Sequence, residues 1–183
     1  MAYDLIIKNG TVVDGSGFPR YRADVAIKDK IIVEKGRIDG DAARVIDAEG
    51  KIVAPGFVDI HTHYDAQIMW DPLLTSSPWH GTTTVVMGNC GFTLAPCLPK
   101  DREYISLMLS KVEGINVKAL EHGLDWRWQS FPEYLRRIEE ERLGINVGTM
   151  VGHSAVRRYV MGEEANIRQA NADEIQKMKG QIL

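Results

Sequence analysis

Val53-Ala54-Pro55-Gly56-Phe57-Val58-Asp59-Ile60-His61-Thr62-His63-Tyr64-Asp65 decides the fold of this chain. Pro55-Gly56 is a turn signal, and the run over 57–60 reads as a short buried strand that ends in two histidines. Side chains alternate between faces along a strand. His61 and His63 are therefore expected on one side, together with Phe57, Asp59 and Asp65. Val58 and Ile60 are expected on the other, as an apolar face fit to pack against helices. Two neutral imidazoles at one strand end suit zinc or another divalent transition metal. Read alone, such a pair is more often surface or hydrogen-bonded histidines than a metal site. The context favours a metal: an apolar strand before the pair, a carboxylate two residues after it, and further candidate ligands downstream.

The 183 residues are 44% hydrophobic and 26% charged, enough for a packed core and too apolar for a disordered chain. The net charge of −3 makes no electrostatic case for nucleic acid or an anionic membrane. The longest apolar runs fall short of a membrane span. Neither nucleic acid nor membrane is expected as a partner. The N-terminal residues read as a strand and not as a signal peptide, so a cytoplasmic setting with the two cysteines reduced is the expectation.

Upstream of the deciding stretch, residues 1 to about 54 read as a small all-β unit. Strands over 5–8 and 11–13 flank Asn9-Gly10, a strong hairpin signal. Further short strands are expected over 23–27, 31–33, 44–47 and 51–53. A unit this small is marginal as an independent core, so pairing with strands from elsewhere is expected.

Downstream, strands and helices alternate. The β-branched run over 82–87 ends at Gly88-Asn89-Cys90-Gly91. A helix over about 102–113 carries Ile105, Met108, Leu109 and Val112 on one stripe, with Asp101 as N-cap and Gly114 as stop. Ser130-Phe131-Pro132-Glu133 fits a capping box. Phe131, Tyr134, Leu135 and Ile138 form the stripe of that helix, and Gly144 is expected to end it. A third strand over 146–151 is expected to end at Gly152-His153. A last helix from near Asn171 carries Ile175, Met178, Ile182 and Leu183 and is expected to be still running where the sequence stops. Repeated strand–helix units ask for a parallel sheet covered by helices. Three units fall short of the eight strands and ~250 residues of a closed barrel. The expectation is an α/β chain that holds the first strand–helix units of an incomplete (β/α)8 (TIM-type) barrel over 55–183, preceded by the β unit over 1–54.

In such a barrel functional groups stand at the C-terminal ends of strands. His61 and His63 end the first strand, Cys90 the second and His153 the third. A thiolate ligates and can bridge metal ions. Cys90 stands open between that role, a small buried hydrophobe, and a disulfide with Cys97 that would need an oxidising setting. His153 stands open between a site residue and a structural histidine. Asp65 either orients a ligand histidine through its second ring nitrogen or faces solvent. His80 and His122 lie among loop signals and are assigned surface or capping roles, while Cys97, Trp126, Trp128 and Phe131 are assigned to packing.

Several stretches together resemble a known family. The N-terminal strand unit followed by Ala54-Pro55-Gly56-Phe57-Val58-Asp59-Ile60-His61-Thr62-His63 resembles the opening of the amidohydrolase superfamily, a small β-sandwich leading into a barrel. His61 to Gln67, Trp70-Asp71-Pro72, Ser77-Pro78-Trp79-His80-Gly81, Met87-Gly88-Asn89-Cys90-Gly91 and Ser130 to Leu135 resemble the narrower family of N-acyl-D-amino-acid deacylases (D-aminoacylases). The resemblance continues to Tyr159-Val160-Met161-Gly162. It implies that residues 1–54 are a β-sandwich portion, that His61 and His63 ligate a metal, and that Cys90 is a bridging thiolate where many superfamily relatives carry a carboxylated lysine. It implies one or two zinc ions and hydrolysis of the amide bond of N-acyl-D-amino acids to a D-amino acid and a carboxylate. The catalytic aspartate that moves the proton, two more histidine ligands and a substrate-binding arginine are expected beyond Leu183. On that expectation the chain alone is inactive and associates with itself through an exposed barrel edge. Two other readings remain: another amide or cyclic-amide hydrolase of the superfamily, against which Cys90 argues, and a non-catalytic fragment that serves as an interaction or metal-holding domain.

Overall fold

A single strand, β1 (Tyr3–Val12), runs through the Asn9-Gly10 pair without turning in the computed structural model, which describes residues 2–182. β1 pairs antiparallel with β2 (Tyr21–Lys28), and the register steps from Ile7↔Val25 to Gly10↔Ala23. Three steps on one strand face two on the other, which is a β-bulge. The expected hairpin at Asn9-Gly10 is thus a bulge. The left-handed backbone that Asn favours in hairpins (φ 62°) absorbs the extra residue here, held by Asp24, which accepts from the Asn9 N–H, and by Asp47, which accepts from its amide. Gly10 serves a close approach: a Cβ there would stand 2.4 Å from Val53 Cγ2. The two-residue hairpin falls instead between β2 and β3 (Ile31–Gly36), where Asp29 and Lys30 both have positive φ, the signature of a type I′ turn. β4 (Ala42–Asp47) and the short β5 (Ile52–Val53) lie parallel to β1. Residues 1–55 form one compact unit with a small core of Ile6, Ala26 and Ile38.

Residues 56–183 form the second unit, an α/β arrangement on a three-stranded parallel sheet. β6 (Phe57–Thr62), β7 (Thr82–Met87) and β8 (Asn146–Thr149) lie in that order, with β7 in the middle. Between β7 and β8 the chain forms α1 (Arg102–Glu113), α2 (Val117–Gly123) and α3 (Phe131–Glu139). After β8 come α4 (His153–Met161) and α5 (Ala172–Lys179). The core gathers on Val85 and Met87 of β7, Ile105 and Leu109 of α1, Leu120 of α2, Trp128, and Tyr134 and Ile138 of α3. Burying each such large side chain fully is worth about 1.5–3 kcal/mol, and this is what holds the helices to the sheet. Trp128 donates its indole N–H to the Leu94 carbonyl, so its one polar atom is satisfied inside the core.

The local signals place most helix ends. Ser130 and Glu133 form the expected capping box of α3, and Asn171 and Glu174 form another at α5. Several expectations are corrected. Asp101 stands before α1 but does not cap it; its carboxylate is buried and held by Arg158 at 2.6 and 2.7 Å. Val112 is 43% exposed, so the α1 stripe buries Ile105 and Leu109 and not Val112. α3 stops at Glu139, short of Gly144. α5 does not run on: Gly180 caps it, donating its N–H to the carbonyls of Gln176 and Met178. Ile175 and Ile182 are exposed, and Leu183 lies outside the described residues. The face of Val58 and Ile60 that was expected to meet helices is open, at 60% and 65% exposure. β6 is an outer strand, and the segment after it forms only short 3-10 turns, Gln67–Met69 and Ser77–His80, where a helix would have covered that face. No helix among the described residues is long and apolar enough to cross a membrane.

Candidate metal centre

β6 and the turn after β7 bring three ligand-type side chains together. One ligand atom each from His61, His63 and Cys90 lies within 4.8 Å of the others. The two imidazole centroids are 5.4 Å apart. Metal–ligand bonds of about 2.0–2.3 Å put the ligands of a tetrahedral ion about 3.3–3.8 Å apart. The set is therefore already gathered to within about an ångström of that spacing, and two imidazoles with a thiol are a donor set that suits zinc.

The backbone explains the gathering. Thr62, buried between the two histidines, donates its hydroxyl to the Val86 carbonyl and pins the end of β6 to β7. Gly88-Asn89-Cys90-Gly91 is a tight turn closed by the Gly91 N–H on the Gly88 carbonyl. Asn89 crosses back to the His-x-His strand and donates its amide to the Ile60 carbonyl at 2.9 Å. The Phe92 N–H lies 3.5 Å from Cys90 Sγ and points a positive dipole at it. Ser154, at the start of α4, donates its N–H to the Gly91 carbonyl and fixes the far side of the turn.

His153 does not end a strand. β8 stops at Thr149, and His153 opens α4, exposed, beside Gly91 and outside the three-atom group. Asp65 neither orients an imidazole nor faces solvent. It is 1% exposed, neither carboxylate oxygen has a hydrogen-bond partner among the described residues, and Tyr134 donates its hydroxyl to the Asp65 backbone carbonyl. Burial, with the nearby Glu113 charge added, pushes the Asp65 carboxyl up to about 7. Both cysteines are free thiols, so no disulfide joins Cys90 to Cys97. Cys97 is packed in the core, where burial pushes its thiol up to about 12. His122 lies on α2 and bonds locally to the Lys118 carbonyl.

The carboxylate that meets a candidate ligand is Glu113, whose Oε1 is 3.3 Å from His63 Nδ1. Its side chain is 2% exposed, and burial pushes it up to about 7. Sequence reading missed it because it stands 50 residues from His63. One signal was present. Ile105, Leu109 and Glu113 follow at i, i+4, i+8, so a carboxylate closes the buried stripe of α1.

Known proteins resemble this chain along nearly its whole length. The model of the Amidohydrolase family matches residues 44–183. The D-aminoacylase of Alcaligenes xylosoxydans is 34% identical over 178 residues, covering 97% of this chain and 34% of that protein. The N-acyl-D-glutamate deacylase of the same organism is 37% identical over 164 residues, 88% of this chain and 31% of that protein. A crystal structure of N-acyl-D-glutamate deacylase from Bordetella bronchiseptica, complexed with zinc and a phosphonate inhibitor, matches at TM-score 0.80 and 33% identity. That match covers 99% of this chain and 35% of the other. The chain thus spans about a third of the length of these relatives. A family match over 140 of the 183 residues (183 − 44 + 1), one that takes in the whole His-x-His strand and the cysteine turn, leaves one conclusion: the chain belongs to the amidohydrolase family.

Proposed function

We propose that this chain supplies part of the metal site of a zinc-dependent hydrolase that cleaves N-acyl-D-amino acids to a D-amino acid and a carboxylate. The observation that carries the reading is the convergence of His61, His63 and Cys90 from two adjacent parallel strands. His61 and His63 would bind zinc as neutral imidazoles and Cys90 as a thiolate, so binding releases the thiol proton. Zinc bound by these residues would supply Lewis-acid chemistry for hydrolysis of the amide bond. The turn over 88–91, closed by the Gly91 N–H on the Gly88 carbonyl and tied to β6 by Asn89, would keep the thiolate in place. The acyl-D-amino-acid substrate class follows the relatives named above, a deacylase of which binds zinc and a phosphonate.

Residues 56–183 are read as the opening strand–helix units of a (β/α)8 barrel, supported by the parallel order of β6, β7 and β8. Residues 1–55 are read as a portion of a β-sandwich, supported by a sheet that leaves Ile31, Ile32 and Val33 exposed. A reducing, cytoplasmic setting suits a site that needs Cys90 as a free thiol. Full-length protein that contains this sequence, loaded with zinc, is expected to release D-methionine from N-acetyl-D-methionine and to leave the L-enantiomer intact. The 183-residue chain alone is expected to give no turnover. Cleavage of a cyclic amide in place of the acyl-D-amino acid would move the assignment elsewhere in the superfamily, and zinc binding without any turnover by full-length protein would favour a metal-holding role. The exposed Phe57, Val58 and Ile60 on an outer strand support self-association of the isolated chain. Light scattering is expected to show dimers or larger species, and a monodisperse monomer would remove that reading.

A further inference from the structure

We infer that Glu113 is a positioning residue for His63: its carboxylate accepts the Nδ1–H and so fixes the imidazole as the tautomer that offers Nε2 to a metal. The inference rests on the metal site proposed above, and goes beyond it in assigning a residue from a different element. Two acceptors face His63 Nδ1, Glu113 Oε1 at 3.3 Å and Cys90 Sγ at 3.9 Å. The carboxylate is the nearer and the stronger acceptor. A ring nitrogen that carries a proton cannot ligate, so the lone pair left for a metal is on Nε2. Ligand histidines commonly donate their other ring N–H to a carboxylate in this way, and removing such a partner lowers metal affinity about 10- to 100-fold.

The position of Glu113 is a poor one for stability alone. It is the last residue of α1, at the negative end of the helix dipole. Its side chain is 2% exposed, and Oε2 has no partner among the described residues. Buried Asp65 adds a second carboxylate close enough to interact with it. Desolvation, the helix dipole and a like charge all oppose an anion here, and among the described residues the contact with His63 is the one interaction that favours it. A residue kept at such a spot for packing would serve better as leucine or glutamine. Metal affinity and metal-free stability should therefore move in opposite directions when Glu113 is replaced, which a merely structural residue would not do.

Two variants of this chain test it, Glu113→Leu and Glu113→Gln, the second keeping an oxygen that can accept the Nδ1–H. In the metal-free protein, 15N NMR of the histidine rings is expected to show His63 as the Nδ1–H tautomer. In Glu113→Leu it should shift toward the Nε2–H form. Zinc titration should show affinity falling about 10- to 100-fold in Glu113→Leu, with a smaller fall in Glu113→Gln. Thermal unfolding of the metal-free variants should occur at or above the wild-type temperature. An unchanged His63 tautomer together with a zinc affinity within twofold of wild type in both variants overturns the inference. If wild-type chain takes up no zinc at all, it is the metal site that fails, and the tautomer measurement still decides the role of Glu113. Should Glu113→Leu not fold, Glu113→Gln carries both readouts.

Discussion

Cys90→Ala strips zinc from this chain: the variant is expected to bind it at least about 60-fold more weakly than wild type. The figure follows from structural zinc sites, where an apparent 10–16 kcal/mol shared among four ligands is about 2.5–4 kcal/mol each, and 1.4 kcal/mol is tenfold. The thiolate is the one anionic ligand of the three, so its share is at least the average. His61 and His63 remain in the variant, since both stand on or just after β6, and their placement depends on Thr62 and Val86 and not on the sulfur. Loss of the side chain removes only long sulfur contacts, to the Phe92 N–H and carbonyl and to His63 Nδ1, on a half-buried turn residue, so metal-free stability should change by about 1 kcal/mol or less. Loss of metal with unchanged unfolding therefore reads as loss of a ligand and not of the fold. In full-length protein the same substitution should abolish turnover. Undiminished zinc content in the variant, measured by elemental analysis after dialysis, would take Cys90 out of the site.

The parts of this architecture that could be read from the chain are those whose causes are local. The strand ending in His61 and His63, the stripe of α1 and the two capping boxes each rest on residues within four positions of one another. Cys90 was legible because a Gly-Asn-Cys-Gly turn after a β-branched run puts a thiol at a strand end. What escaped the sequence reading depends on partners far away in the chain. Asn9-Gly10 carries the same left-handed preference in a bulge as in a hairpin, and only pairing with β2 chooses between them. Asp101 looks like a helix cap until Arg158, 57 residues on, claims its carboxylate. At His153 the sequence pattern suggests a strand end, whereas the helix that begins there has its first turn fixed by the Gly91 carbonyl and by the hydroxyl of Thr93, which accepts from the Gly152 N–H. Glu113 is the same case at the site itself: a helix-end carboxylate acquires meaning only when His63 is brought against it.

The second large effect is expected at Gly88, the hinge between β7 and the cysteine turn. Its φ of +79° lies in the left-handed region, where a non-glycine residue costs about 1–2 kcal/mol. A Cβ there would also stand 2.3 Å from the Met150 carbonyl oxygen and 2.8 Å from Thr93 Cγ2. Neither neighbour can give way cheaply. Met150 is backbone, held by its N–H on the Met87 carbonyl, and Thr93 is fully buried with its hydroxyl bonded to the Ala95 carbonyl. Adding about 1–3 kcal/mol for overpacking, Gly88→Ala should lose roughly 2–5 kcal/mol in denaturant unfolding. Because Met150 follows β8, which is paired to β7 in the sheet, the strain should be relieved by moving the turn over 88–91, which carries Cys90 away from the histidines and lowers zinc affinity as well. Gly91→Ala is the control. Its φ is +87°, but its Cβ would meet only His153 Cβ at 4.0 Å, so it bears the conformational term alone, about 1–2 kcal/mol. Equal losses in the two variants would mean that the Met150 carbonyl does not press on Gly88. A larger loss at Gly88, with zinc affinity falling in step, would tie the placement of the thiol to the packing of β7 against β8.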